Sequence, residues 1–315
     1  MKAPARVMSA LMVALTMSLA GTVAGGAVAA SAATRDHGVV YVNDGGSGHF
    51  NLFIVHRDHS LRRVTHLRPG RDAFFPDWAP DGSEIAFVIS TSAGSQIYTV
   101  RPDGSGLHQI TNDPQFSSDS PRWSPDGRQL VFSRSAPHGF CDTFAFERQL
   151  CHIWVMNADG TNPRQLTSSG FWNDFDPAWS PDGSTIAFDS NRGGLTSALW
   201  VMHADGSSLT RITKPRVEGW WPAWSADGGR LAFTRQVKNA GLFAMDADSG
   251  GIRQVLPGGT SSHDFPSWSA GRIAFAAVQS DGTTSIDTVR PDGTDLTVLV
   301  AGLHDGLPFI DYLAG

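Results

Sequence analysis

The 315-residue sequence predicts an all-β fold, a six-bladed β-propeller of four-stranded antiparallel blades. Two observations carry that prediction. The first is a heptad of the form Pro-x-Trp-Ser/Ala-Pro/Ala-Asp-Gly. It runs from Pro76 to Gly82, Pro121 to Gly127, Pro177 to Gly183 and Pro222 to Gly228, and a shortened copy runs from Pro266 to Gly271. Its tryptophans step by 45, 56, 45 and 44 residues. One unit is therefore about 45 residues, the length of a propeller blade. The second observation is composition. Glu occurs three times (Glu84, Glu147, Glu218) and Lys three times (Lys2, Lys214, Lys238), against 34 Gly, 18 Pro and 10 Trp. Good helix formers are scarce and turn formers abundant.

Each unit reads as four short strands. The tryptophan strand ends in an Asp-Gly turn, where Gly supplies the positive φ of a tight hairpin. A second strand follows at once, as at Ile85-Ala86-Phe87, Leu130-Val131-Phe132 and Ile186-Ala187-Phe188. The third strand, such as Ile153-Trp154-Val155-Met156, reaches another Asp-Gly turn, as at Asp103-Gly104 and Asp159-Gly160. The fourth strand, such as Leu61 to Thr65, Arg164 to Thr167 or Arg211 to Thr213, completes the unit. Residues 39–65 supply strands two to four with no tryptophan strand before them, while Pro308 to Tyr312 supplies a first strand with nothing after it. Joined, the two ends make a sixth blade, which closes the ring and removes sheet edges between its ends.

Ahead of the repeats, Lys2 and Arg6 precede an apolar run from Val7 to Ala20 and small-residue sites at Ala27-Val28-Ala29 and Ala30-Ser31-Ala32. Residues 1–32 read as a secretory signal peptide, 33–37 as a short linker and 38–315 as the propeller. The alternative is an uncleaved membrane anchor; cleavage leaves no membrane span. The expected location is outside the cell or in the periplasm and cell envelope, and the expected state is a monomer. A formal charge of −6 with no basic run excludes a nucleic-acid partner.

The repeats resemble the TolB-type β-propeller repeat, a WD40-like motif of the periplasmic TolB protein and of the propellers of several secreted peptidases. The resemblance covers residues 38–312. It implies a binding scaffold with a protein or peptide partner in the envelope. The N-terminal α/β domain of TolB is not among the residues of this sequence. Neither is the Gly-x-Ser-x-Gly elbow that a propeller-bearing peptidase needs.

Strand polarity puts both Asp-Gly turns of each blade on one face and the variable loops on the other. Acids precede nearly every Pro-x-Trp strand on the loop face: Asp72, Asp119, Asp174, Asp176, Glu218, Asp264 and Asp305. Such a ring can take Ca2+ through oxygen ligands or attract a basic peptide; equally, the acids can cap backbone amides of the loops. The aromatic residues Phe74-Phe75, Phe171-Trp172, Phe175, Trp220-Trp221 and Phe265 lie beside them. Strand alternation predicts that one of Trp220 and Trp221 faces away from whatever buries the other. The pairs His263-Asp264 and His304-Asp305 raise a second reading, a carbohydrate-active lyase or hydrolase with an acid/base or metal site. Finally, the extra length between Ser133 and His152 holds both cysteines, Cys141 and Cys151, expected as a disulfide that pins a loop on the same face.

Overall fold

Every repeat forms one four-stranded antiparallel sheet in the computed structural model, which describes residues 36–135, 150–192, 196–214, 217–236, 240–248, 251–259, 261–269, 271–303 and 309–314. The first blade joins the chain ends in the order β24 (Ile310–Ala314), β1 (Asp36–Asn43), β2 (Asn51–Val55), β3 (Leu61–Arg63). The second holds β4 (Asp72–Trp78), β5 (Ile85–Thr91), β6 (Gly94–Val100) and β7 (His108–Gln109). The third holds β8 (Ser117–Trp123), β9 (Gln129–Ser135), β10 (His152–Asn157) and β11 (Arg164–Gln165). The fourth holds β12 (Asp174–Trp179), β13 (Thr185–Ser190), β14 (Ala198–His203) and β15 (Thr210–Arg211). The fifth holds β16 (Trp220–Trp224), β17 (Arg230–Arg235), β18 (Gly241–Asp246) and β19 (Arg253–Pro257). The sixth holds β20 (Ser261–Ser269), β21 (Arg272–Gln279), β22 (Thr284–Val289) and β23 (Thr297–Leu303).

The predicted closure is present. β24 pairs with β1, Tyr312 opposite Val39 and Ile310 opposite Tyr41. First strands touch in the cyclic order β24, β4, β8, β12, β16, β20 and back to β24, so they form the inner ring. The second strands supply the fully buried phenylalanines Phe87, Phe132, Phe188, Phe233 and Phe275, one in each blade but the first, each in a cluster with residues of an adjacent blade.

The repeat letters have physical roles. In Trp-Ser-Pro/Ala-Asp-Gly the serine donates to the aspartate across the turn, Ser124 to Asp126 at 2.6 Å and Ser225 to Asp227 at 2.6 Å. Gly127 sits at φ 68°, a conformation that favours glycine. The threonine after strand four accepts an amide of strand three, Leu52 N to Thr65 Oγ1 at 2.9 Å, Ile97 N to Thr111 Oγ1 at 2.8 Å and Ile153 N to Thr167 Oγ1 at 3.0 Å. This shortens the fourth strands relative to the sequence expectation: the hydroxyl takes the amide that a longer ladder would use, and β11 and β15 keep two residues each.

Candidate functional site

The turn polarity inferred from sequence is present. A groove of about 830 Å3 is lined by Asp81 and Asp126 of the first turns together with Arg101, Gly106 and Asp159 around the second turns, so both kinds share one face. The opposite face carries the links between blades.

All five complete first strands break register at one place: Phe74/Asp77, Asp119/Arg122, Phe175/Ala178, Trp220/Ala223 and Asp264/Ser267. The residue inside each break has a left-handed backbone: Phe75 at φ 49°, Ser120 at 49°, Asp176 at 47°, Trp221 at 54° and Phe265 at 53°. A proline follows every one. Proline cannot donate to the ladder, and a bulge is where a sheet tolerates that loss. Such a backbone costs a non-glycine residue roughly 1–3 kcal/mol, so packing must hold it.

That packing is visible. The bulge residues Trp221, Phe265 and Phe75, with Phe309 of the first blade between the last two, form an arc of aromatic rings, Trp221 to Phe265 at 4.2 Å between centroids, Phe265 to Phe309 at 4.3 Å and Phe309 to Phe75 at 4.1 Å. The remaining two blades contribute Ser120 and Asp176, hydrogen-bonded at 2.6 Å. The expectation that one of Trp220 and Trp221 faces outward is therefore corrected. Both are buried, at 8% and 6% exposure, because the bulge cancels the alternation that would have turned one away. Phe75, Phe175 and Phe265 are buried as well.

The acids are also inside. Asp119, Asp174, Asp176, Glu218 and Asp264 are buried and Asp72 is half-buried. Asp72 accepts the Phe50 amide at 2.8 Å and Glu218 the Gln236 amide at 3.0 Å, which is the loop-capping role. Asp174 makes a two-pronged ion pair with Arg192, and Asp264 accepts Ser262 Oγ at 2.7 Å. Burial pushes the Asp264 carboxyl above the ordinary range. Asp189, which accepts the Trp221 amide at 3.3 Å, is pushed well above it by burial and then by the nearby Asp176 charge. Among the described residues no three His, Cys, Asp or Glu side chains come together as a metal-holding group.

His263 packs edge-on against Phe275 at 5.1 Å, and burial lowers its pKa to about 4, so the imidazole is neutral at pH 7. It stands opposite Ala277 and Asp264 opposite Ala276, on alternate sides of the strand, so the two do not form an acid/base pair. His304 and Asp305 lie outside the described residues, as do residues 1–35 and Cys141. Cys151 is buried at 1% exposure, and no free cysteine stands among the described residues.

Two features were not singled out from sequence. The variable residue of Pro-x-Trp lines a cavity of about 220 Å3 at the turn-bearing end of the inner ring, with Asp77, Arg122, Ala178, Ala223, Ser267 and Asp311 each from a different blade. Asp77 accepts the Trp123 amide at 2.6 Å and sits 3.3 Å from Arg122. Burial, then the Asp311 charge, raises its carboxyl pKa well above normal, against the pull of Arg122. The only signal in sequence is that x varies while its neighbours do not.

The second feature is exposure. Of the aromatic residues predicted on the loop face, Phe171 is 84% and Trp172 40% exposed. Ser169 Oγ accepts both of their amides, at 3.1 and 3.0 Å, and the next residue, Asn173, accepts the Cys151 amide at 2.9 Å. The loop is thus pinned while its two rings face water.

A protein-family profile described as TolB beta propeller domain (PD40) matches residues 137–305, more than half of the chain. A Protein TolB homolog of Chlorobium luteolum is 28% identical over 256 residues, covering 76% of this chain and 52% of the relative. An uncharacterized protein of Agrobacterium fabrum is 29% identical over 216 residues, covering 64% of this chain and 68% of that one. The crystal structure of TolB from Acinetobacter baumannii superposes with a TM-score of 0.70 at 21% identity, over 87% of this chain and 66% of that one, a likeness of fold. The chain thus spans about half the length of the Chlorobium relative.

Proposed function

Because the chain belongs to the TolB β-propeller family, we propose that it is a non-catalytic scaffold that binds a protein or peptide partner in the cell envelope or outside the cell. One observation carries this reading. The buried acids named above are engaged inside the molecule, whereas Phe171 and Trp172 are large apolar side chains held in water by a pinned loop. Exposed aromatic residues on a preorganised loop are the usual anchors of protein interfaces, since they add contact area with little ordering cost. The Asn173 end of the loop is tied to the Cys151 amide, and a Cys141–Cys151 disulfide would fix the segment that leads to it. Export by residues 1–32 is part of the proposal, because it supplies the oxidising compartment a disulfide requires.

The test compares wild type with the double variant Phe171→Ala/Trp172→Ala as baits for the envelope and medium fractions of the source organism. The expected result is a protein retained by wild type and lost by the double variant at unchanged melting temperature. Retention of the same protein by both baits would overturn the site, and turnover of a polysaccharide by the purified protein would overturn the non-catalytic reading.

A further inference from the structure

The Trp, Ser, Asp and Gly of the repeat recur because the turn and the packing of a blade need them, whereas the x of Pro-x-Trp changes from blade to blade. The six x positions meet in the cavity of about 220 Å3 at the turn-bearing end of the inner ring, and they divide it. Ser267, Asp311, Asp77 and Arg122 come from four consecutive blades and make one wall polar. Ala178 and Ala223, from the other two, make the facing wall apolar. The fold does not use up the polar wall. Asp77 and Asp311 each cap the tryptophan amide of the next blade, but Arg122, Ala178, Ala223 and Ser267 bring no carboxylate for that role. Arg122 donates through Nη1, to Pro76 O at 3.0 Å and to Asp77 Oδ1 at 3.3 Å. Its Nε and Nη2, the paired edge that grips a carboxylate two-pronged, have no partner among the described residues.

We propose that this cavity binds a free α-amino acid with a small apolar side chain, such as alanine or valine. Its carboxylate lies on the Nε–Nη2 edge of Arg122, its ammonium against Asp311 and Asp77, and its side chain over Ala178 and Ala223. Charge selects this class of ligand. A carboxylate alone would meet Asp311 and Asp77 as well as Arg122, and an ammonium alone would leave the Arg122 edge dry and unpaired, both costly in a buried site. A zwitterion satisfies both ends. Burial and the Asp311 charge already hold the Asp77 carboxyl well above its ordinary pKa, so a positive charge placed between the two carboxyls is favoured. Size agrees. At roughly 30 Å3 for each water-sized group the cavity holds about seven, which is a small amino acid. It lies below the roughly 300 Å3 at which pockets for drug-sized ligands begin. The site is independent of the Phe171 and Trp172 loop, which stands on the opposite face.

Isothermal titration of the purified full chain with L-alanine and L-valine tests this. Saturable one-site binding with a Kd below about 1 mM is expected for at least one of them. Acetate and ethylammonium, which carry one charge each, should bind at least about tenfold more weakly. Arg122→Met keeps the stem and removes the fork, and Ala223→Leu fills the apolar wall without replacing a hydrogen-bonding side chain. Each should weaken binding at least about tenfold. Melting temperatures check that the variants fold, and one folded variant suffices to test the site. No saturable binding of either amino acid up to about 10 mM overturns the proposal, as does wild-type affinity in a folded variant of either kind. Acetate or ethylammonium bound as tightly as the amino acid would equally overturn it, on the wild-type protein alone.

Discussion

The Asp311 carboxylate accepts the Trp78 amide at 2.9 Å through Oδ2 and, through Oδ1, the Ser267 hydroxyl at 2.6 Å. One residue of the C-terminal strand thus ties the first blade to the second and to the sixth. Asp311→Ala leaves two donors without their acceptor at a site where each costs about 1–3 kcal/mol. It should lower stability by about 3 kcal/mol in urea unfolding, whereas Asp311→Asn, which keeps one acceptor oxygen, should lose less. Equal and small losses would remove this carboxylate from the closure.

Burial sorts the aromatic residues. Trp221→Ala removes a ring of the inner arc and should cost about 3–5 kcal/mol. Phe171→Ala, at a ring that is 84% exposed, should change the melting temperature little. A stability loss at Phe171 comparable to that at Trp221 would contradict the burial of one and the exposure of the other.

His263 gives a pH dependence with a defined sign. Its folded pKa of about 4 lies below the ordinary value of 6.5, so the unfolded chain takes up the proton first on acidification. The stability it contributes is fully present above pH 6.5 and is lost as pH falls toward 4, up to roughly 3 kcal/mol at 1.36 kcal/mol per pKa unit. Unfolding free energy measured from pH 7.5 to 4 should fall, and His263→Phe should flatten that window. An unchanged slope in the variant would show that other groups account for the fall.

Asp72, Asp174, Asp176, Glu218 and Asp264 accept hydrogen bonds from the chain itself, and no three ligand side chains converge among the described residues. Millimolar Ca2+ should therefore leave the melting temperature of the wild type where it is, and Asp119→Asn with Asp264→Asn should not change that response. A stabilisation that grows with Ca2+ and disappears in the variant would establish a cation site.

Much of this molecule was legible before its structure. The spacing of Trp78, Trp123, Trp179, Trp224 and Trp268 fixes blade number, and the complementary remnants at the two ends fix the closure, because each blade repeats one solution to burying a sheet between two others. The site was less legible. Whether Trp220 and Trp221 share a side depends on a bulge, and nothing in the pair itself announces one; the proline that follows was the available sign. Asp119 and Asp264 look like surface acids in sequence because burial is decided by the neighbouring blade. Phe171 and Trp172 were legible as aromatic residues of the loop face, but only three-dimensional packing separates them from Phe175, four residues beyond Phe171 and buried.

Photo-crosslinking tests the binding-face reading most directly. A benzoylphenylalanine placed at Phe171, on the loop face, is compared with one at Leu107, which is 47% exposed beside the second turn of its blade on the opposite face. Irradiation with envelope and medium proteins of the source organism should give one discrete adduct from position 171 and none from 107. Adducts from 107 alone, or from neither position, would contradict a partner bound through the Phe171 and Trp172 loop.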